Sequence, residues 1–243
     1  MNILKTPLIS IITVSYNAAA TFEQTILSVI NQDFVDYEYI IVDGGSTDGT
    51  VEIIKKYQDR ITLWVSESDR GIYDAMNKGI RYAKGEYVYF LGGDDLLFDN
   101  QVLKNVSSYM MDKRKVYYGS VLFKKRNVIY DGKFNLAKIV TRNISHQSIF
   151  YPKEIFEKYS FETKYIIFAD YELNLKLYGN SSYSFVYIPL IIASFNDEGA
   201  SGSNVLDACF EDDRFEIIKS NFPYWIYIYR IFRSKISKII NQL

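Results

Sequence analysis

The chain carries a single cysteine, Cys209, among 243 residues, so no internal disulfide can staple it. It carries a single histidine, His146, which leaves no Cys/His set for a zinc site. No stretch reaches the roughly eighteen uncharged apolar residues that a membrane span needs. The N-terminal segment has neither the long apolar core nor the small-residue cleavage site of a secretory leader. The formal net charge is -1, so no global field draws a nucleic acid. These absences predict a cytoplasmic protein with no nucleic-acid partner. The length suits one large domain, or one core with a small attachment.

Aromatic residues are abundant, with 22 Tyr and 16 Phe. Most of them belong to a core, and a share is left to face a sugar or a membrane. Leu8 to Val14 is a continuous apolar, β-branched run of the kind a buried parallel strand needs. Thr21 to Asn31 has a helical stripe of Phe22, Ile26, Val29 and Ile30, with Thr21 as its cap. Further strands are predicted at Tyr37 to Val42, Ile61 to Ser66 and Tyr87 to Leu91. Helices are predicted from Asp48 or Thr50, over Ile72 to Ala83, and over Asn100 to Met111. Strand and helix alternate four times, which predicts an α/β fold with a mostly parallel central sheet and a ligand at the C-terminal strand ends. Past residue 112 the pattern loosens. A strand pair is expected at Lys115 to Leu122 and Val128 to Tyr130, a helix opening at Pro152-Lys153-Glu154, a helix over Asp170 to Leu177, and an extended run over Tyr183 to Ile192.

Polar clusters sit at the predicted strand ends: Ser15-Tyr16-Asn17, Asp43-Gly44-Gly45, Ser66 to Arg70, and Gly92-Gly93-Asp94-Asp95. Polar turns at strand ends are ordinary, but four in sequence order call for more than turn chemistry. The adjacent Asp94 and Asp95 after an apolar strand suit a hard divalent cation, which prefers oxygen ligands and bridges to phosphate.

These segments resemble the family 2 glycosyltransferases. The resemblance rests on Val14 to Asn17, Ile41 to Thr50, Ser66 to Gly79 and Gly92 to Asp95, followed by His146-Gln147 and Ala169-Asp170-Tyr171-Glu172-Leu173. It implies an inverting transferase of the GT-A fold that takes a sugar from a nucleotide-diphosphate donor, with Mn2+ or Mg2+. In that reading residues 1–112 hold the nucleotide sugar and metal, and 113–218 form the acceptor half of the same domain. Asp95 is the metal ligand, with Asp94 either completing the metal shell or accepting from the ribose. Asp43 reads the base and Tyr16 stacks on it. Asp69 and Arg70 meet ribose or phosphate, with a surface salt bridge as the alternative for Arg70. Lys78 shares a helix face with Asp74 and Asn77 that approaches the nucleotide. His146 touches phosphate or acceptor. Asp170 is the general base that takes the acceptor hydroxyl proton, its alternative being a helix cap. Family habit favours a UDP donor.

Residues 219–243 contain Lys219, Arg230, Arg233, Lys235 and Lys238 with no acid, and a helical apolar stripe of Ile228, Phe232, Ile236, Ile239 and Leu243. Such a basic, aromatic amphipathic helix suits an anionic membrane surface. That points to a peripheral protein on the inner face of the cell membrane with a polyprenyl-diphosphate-linked glycan as acceptor. The alternative is a helix that covers the catalytic domain or pairs with a second copy as a homo-oligomer. Two other function classes compete: a metal-dependent sugar nucleotidyltransferase, and a non-catalytic sugar- or lipid-binding module.

Overall fold

The structure is a computed structural model. It describes residues 6–180, 183–197 and 207–240, the side chains of 237–240 excepted. The first half alternates as expected: β1 (Ile9–Ser15), α1 (Phe22–Ile30), β2 (Tyr37–Asp43), α2 (Thr50–Lys56), β3 (Leu63–Ser66), α3 (Ile72–Tyr82) and β4 (Tyr87–Gly92). Then come β5 (Leu96–Leu97), α4 (Val102–Ser107), β6 (Lys115–Phe123), β7 (Val128–Tyr130), α5 (Leu136–Ile139), β8 (Ile149–Pro152), α6 (Ala169–Gly179), β9 (Ser184–Phe195), α7 (Ala208–Asn221) and α8 (Tyr224–Ile240).

The strands form one nine-stranded sheet in the order β3-β2-β1-β4-β8-β6-β9-β5, with β7 on β6. Side chains alternate along each strand into two cores. Ile12, Val14, Ile40, Val42, Val88 and Phe90 fill one face. Ile11, Tyr39, Ile41, Tyr89 and Leu91 fill the other, against α1. Burial on both faces explains why these runs are continuously apolar rather than alternating.

A mostly parallel sheet describes only part of the molecule. The β1–β2, β1–β4, β2–β3 and β6–β9 pairs are parallel, whereas β4–β8, β6–β8, β6–β7 and β5–β9 are antiparallel. Parallel neighbours need long crossovers, which the helices of the first half supply; β6 and β7 are joined by a short turn that permits only the antiparallel hairpin. The second half also curls. Gly92 and Leu96 can be at most about 14 Å apart along the chain. Yet β4 and β5 are four steps apart in the sheet order, which would be about 19 Å if the sheet were flat. The sheet therefore bends into a half-barrel that brings β9 round to the end of β4.

Three local expectations change. Thr21 does not cap α1 with its side chain; its hydroxyl instead donates to the Gly93 carbonyl at 3.1 Å, tying the helix to the acidic turn. The segment opened by Pro152 is a single 3-10 turn over Lys153–Glu157. Asp170 is not a cap, because α6 already begins at Ala169 with Phe168 ahead of it.

Candidate active site

Strand register gathers the polar clusters at one sheet edge. Ser15 lies beside Asp43, Asp43 beside Ser66, and Val14 beside Gly92. A cavity of about 550 Å³ opens above that edge, within the size range of small-molecule sites. Its walls include Tyr16, Asp69, Asp94, Asp95, His146, Gln147 and Asn196. Residues from both halves of the chain thus meet in one place.

Asp95 is 1% exposed. Its Oδ1 accepts from the Asn196 backbone N–H at 2.8 Å. Its Oδ2 accepts from Gln147 Nε2 at 2.8 Å. The Gln147 amide is oriented for this because its Oε1 accepts from Ser145 Oγ at 2.6 Å. Asp94 Oδ2 accepts from Asn196 Nδ2 at 2.9 Å. Burial, and then the adjacent Asp94 charge, push Asp95 up to about 6 against those hydrogen bonds. A Cβ on Gly92 would lie 2.6 Å from Asp95 Oδ2, so only glycine lets the buried carboxylate fold back against the strand end. Two carboxylates forced together in a poorly hydrated corner fit a divalent cation, which relieves their repulsion. Among the described residues no group of three or more Cys, His, Asp or Glu forms a cage. Asp94 and Asp95 are the residues that would offer oxygen ligands to such an ion.

At the other end of the cavity Tyr16 is 67% exposed, an open aromatic face. Asp69 is fixed by Gly71 N–H donating to its Oδ1 at 2.8 Å. Asp43 lies below, fully buried and not part of the cavity wall. Its oxygens accept from Ser15 Oγ, Ser46 Oγ, Ser66 Oγ and the backbone N–H groups of Gly45 and Ser46. Burial raises its pKa, but these hydrogen bonds outweigh burial and hold it below the usual carboxylate range. In this arrangement Asp43 braces the turn from beneath. Arg70 and Lys78 likewise stand outside the wall. Arg70 is exposed and pairs with Asp74 at 3.3 Å. Lys78 pairs with Glu67 at 2.9 Å and donates to the Ser68 carbonyl at 2.8 Å, bracing the loop that carries Asp69.

The acceptor-side motifs converge as a stack. His146 lines the cavity, and Asp170, 4% exposed, lies beneath it outside the wall. Asp170 Oδ2 is 2.9 Å from His146 Nδ1 and accepts from Asn143 Nδ2 at 3.0 Å. Its Oδ1 accepts from Tyr73 OH at 2.9 Å and from Tyr171 N–H at 2.8 Å. Asn143 is itself oriented, since its Oδ1 accepts from Asn174 Nδ2, whose own Oδ1 accepts from Tyr151 OH.

Sequence reasoning missed Asn143 and Asn174, which lie outside the motifs, and gave no role to Tyr73, which lies within the Ser66 to Gly79 segment. It also missed Asn196, which lies 101 residues from Asp95.

The α8 helix docks through Ile226, which is fully buried, and Arg230, which is nearly so. Arg230 therefore faces inward and leaves the outward basic set to Arg233 and Lys235. Tyr224, Trp225, Phe232 and Ile236 are exposed. Of the predicted stripe, the Ile239 side chain and Leu243 lie outside the described residues, as does the Lys238 side chain. No helix among the described residues is long and apolar enough to cross a membrane.

A family profile, glycosyl transferase family 2, matches residues 10–170. A curated relative, a PGL/p-HBAD biosynthesis glycosyltransferase from Mycobacterium tuberculosis (strain ATCC 25177 / H37Ra), is 31% identical over 211 residues, covering 84% of this chain and 82% of the relative. The crystal structure of S. aureus TarS 1-349 in complex with UDP-GlcNAc superposes with a TM-score of 0.69 at 21% identity, covering 86% of this chain and 64% of that one. The mannosyltransferase PcManGT from Pyrobaculum calidifontis, in complex with GDP-Man and Mn2+, gives 0.64 at 19% identity, covering 88% and 63%. The two structures share the fold of this chain.

Proposed function

Given that the chain belongs to glycosyl transferase family 2, we propose that it is a GT-A-type inverting enzyme that moves a sugar from a nucleotide-diphosphate donor to a hydroxyl of a lipid-linked glycan. The observation that carries this reading is the meeting of Tyr16, Asp69, Asp94, Asp95 and His146 around one cavity at the C-terminal strand ends. The base of the donor stacks on Tyr16, at the end framed by the Asp43 turn. Asp69 orients the ribose, and Arg70 would reach the donor only by leaving its pair with Asp74. Asp94 and Asp95 would hold Mn2+ or Mg2+, which when bound supplies positive charge to the leaving diphosphate. The acceptor enters from the His146 side and attacks in line at the anomeric carbon, its proton leaving into the His146–Asp170 corner. UDP is the donor nucleotide we favour, by family habit.

The outward face of α8 supports attachment to the inner leaflet of the cell membrane. Trp225, Phe232 and Ile236 supply apolar anchors, and Arg233 and Lys235 supply charge toward anionic lipid. That placement suits a polyprenyl-diphosphate-linked acceptor in cell-envelope polysaccharide synthesis.

The reading is tested with a panel of nucleotide sugars and lipid-linked acceptors, following release of nucleoside diphosphate. Sugar-dependent release that requires the cation is expected, with Asp95→Asn lowering it by about 100-fold or more. Release of pyrophosphate instead would mark a nucleotidyltransferase. Full turnover of Asp95→Asn at limiting metal would remove Asp95 from the metal site.

A further inference from the structure

We infer that Tyr73 is a positioning residue for Asp170: its hydroxyl holds one carboxylate oxygen and so sets where the other stands relative to the donor. The inference rests on the transferase reading, with Asp170 as the base that takes the acceptor hydroxyl proton, and names the group that keeps that base in place.

Tyr73 lies in the first turn of α3 and is 4% exposed. Its hydroxyl donates to Asp170 Oδ1 at 2.9 Å, across 97 residues of chain. The same oxygen accepts from the Tyr171 N–H. Asp170 Oδ2 has other partners, Asn143 and His146. His146 lines the cavity, so Oδ2 is the oxygen on the cavity side and Oδ1 is the anchored one. Of the residues that contact this carboxylate, Tyr73 alone comes from the donor half of the chain.

The helix that carries Tyr73 also bounds the donor end. Asp69 and Gly71 precede α3 directly, and Ile72 and Ala75 line the cavity with them. Tyr73 and Asn77, four residues apart, share a different face of the helix. That face grips the acceptor half. Asn77 Nδ2 donates to the Phe161 carbonyl at 2.8 Å, and its Oδ1 accepts from the Phe161 N–H at 3.0 Å. The rings of Tyr73 and Phe161 pack with centroids 5.4 Å apart. Below, α3 sits directly on β1, because Gly79 has no Cβ to strike Ile12. One helix therefore fixes the distance from the donor wall to the base. A base must stand within about 3 Å of the proton it takes, and a misplacement of about 1 Å can cost about 100-fold in rate. Tyr73 supplies that constancy without touching substrate. Its hydroxyl also favours the charged form of the carboxylate it donates to.

Tyr73→Phe removes one oxygen and keeps the ring. The ionisable groups facing Asp170 are Tyr73 on α3, Tyr130 on β7, Tyr151 on β8 and His146. Burial pushes Tyr130 up to about 12 and pushes Tyr73 and Tyr151 well up, so none of the three titrates in the working range. Saturating Mn2+ keeps Asp95 ionised, which leaves Asp170 and His146 to shape the acid limb of the rate profile. With a nucleotide sugar and a lipid-linked acceptor, Tyr73→Phe should lower kcat by about tenfold and leave donor Kd unchanged within about twofold. The acid limb of kcat should move up by about one pH unit, because a carboxylate that has lost a donor is protonated more easily and the base is then lost at higher pH. The chain has one histidine, so NMR follows its ring without assignment and without substrate. In Tyr73→Phe its titration should move to higher pH, since the carboxylate beside Nδ1 keeps more of its charge for the ring. Asn77→Ala is the comparison. It cuts two hydrogen bonds on the same helix face and none to Asp170, so it should lower the thermal midpoint and leave the acid limb and the ring titration in place.

Three results would overturn the inference. One is Tyr73→Phe with kcat, acid limb and ring titration all at wild-type values. Another is a tenfold loss of donor affinity with the limb unmoved, which would make Tyr73 a support for the donor wall. The third is an equal shift of the limb in Asn77→Ala, which would assign the effect to a loosened α3 rather than to the hydroxyl. A wild-type protein that transfers no sugar is a separate result. It removes the transferase reading, while the ring titration still reports whether the hydroxyl acts on Asp170.

Discussion

The backbone amide of Asn196 lies 2.8 Å from Asp95 Oδ1, and its side-chain Nδ2 lies 2.9 Å from Asp94 Oδ2. One residue at the end of β9 thus holds both carboxylates of the acidic turn, a contact made possible by the curl that returns β9 to the end of β4. Partners of this kind orient metal-binding carboxylates without touching the ion. Asn196→Ala removes the Asp94 contact but keeps the backbone donor to Asp95. It should weaken Mn2+ binding by about tenfold in the presence of nucleoside diphosphate and cost only about 1 kcal/mol in stability. Calorimetric titration of Mn2+ checks this, and an unchanged affinity would deny Asn196 the role.

The first half of the fold was readable because its elements are local. Each buried parallel strand announces itself as a β-branched run, and each strand end as a cluster of Gly, Ser and Asp, so Asp94, Asp95, Tyr16 and Asp69 could be placed at one edge before any coordinates. The second half depends on contacts that leave no local trace. β5 is two residues long and exists only because β9 pairs with it. The α6 helix is buried nearly all round, so it lacks the one-sided stripe by which its packing could be read. The link from Asp170 through Asn143 and Asn174 to Tyr151 joins three segments, with Asp170 and Asn174 one turn apart on α6, and nothing in the spacing of one sequence pairs that helix with Asn143 and Tyr151. Arg230 reads as part of a basic surface yet faces inward, because the stripe that docks α8 runs through Ile226 and Arg230 rather than through Ile228, Phe232 and Ile236.

Gly44 provides a second handle on the donor end. A Cβ at this position would lie 2.5 Å from Asp69 Oδ2 and 3.3 Å from Tyr16 Cδ2. Gly44→Ala must therefore displace the Asp69 carboxyl and crowd Tyr16, both of which line the cavity, while leaving the strand beneath intact. A donor Kd about tenfold weaker is expected, since small misplacements of positioning groups carry costs of this order, with little change in thermal unfolding. Equal nucleotide-sugar affinity in the variant would show that these two walls do not contact the donor.

Asp43 sets an acid limit on stability. Its folded-state pKa is depressed, so its contribution is complete above the unfolded value of about 3.9 and disappears as pH falls through the lower folded value. Asp43→Asn puts an amide N–H among donors and should destabilise the protein by about 2 kcal/mol at pH 7. Because the wild-type contribution fades in acid, the gap between the two should narrow below about pH 4. Urea unfolding from pH 3 to pH 7 follows both curves. A gap that stays constant across that range would mean that the charge of Asp43 is not what braces the turn.

The membrane role of α8 requires a test that spares its inner face. Deleting residues 219–243 would strip the core of Phe222 and Ile226, both buried, and any loss of binding could then reflect unfolding. Phe232→Asp with Ile236→Asp instead alters two side chains that are already exposed. Placing two carboxylates on the stripe removes apolar anchors and adds charge of the same sign as the lipid. Sedimentation with vesicles containing anionic phospholipid should fall by about tenfold or more, since each apolar anchor supplies roughly 1.5–3 kcal/mol on burial. Turnover of a water-soluble acceptor analogue should be unchanged, because the cavity is formed by other elements. Arg233→Glu with Lys235→Glu should reduce binding to anionic vesicles far more than to neutral ones. If both double variants sediment like the wild type, the outward stripe is not a lipid surface, and a second copy of the chain becomes the occupant to seek by analytical ultracentrifugation.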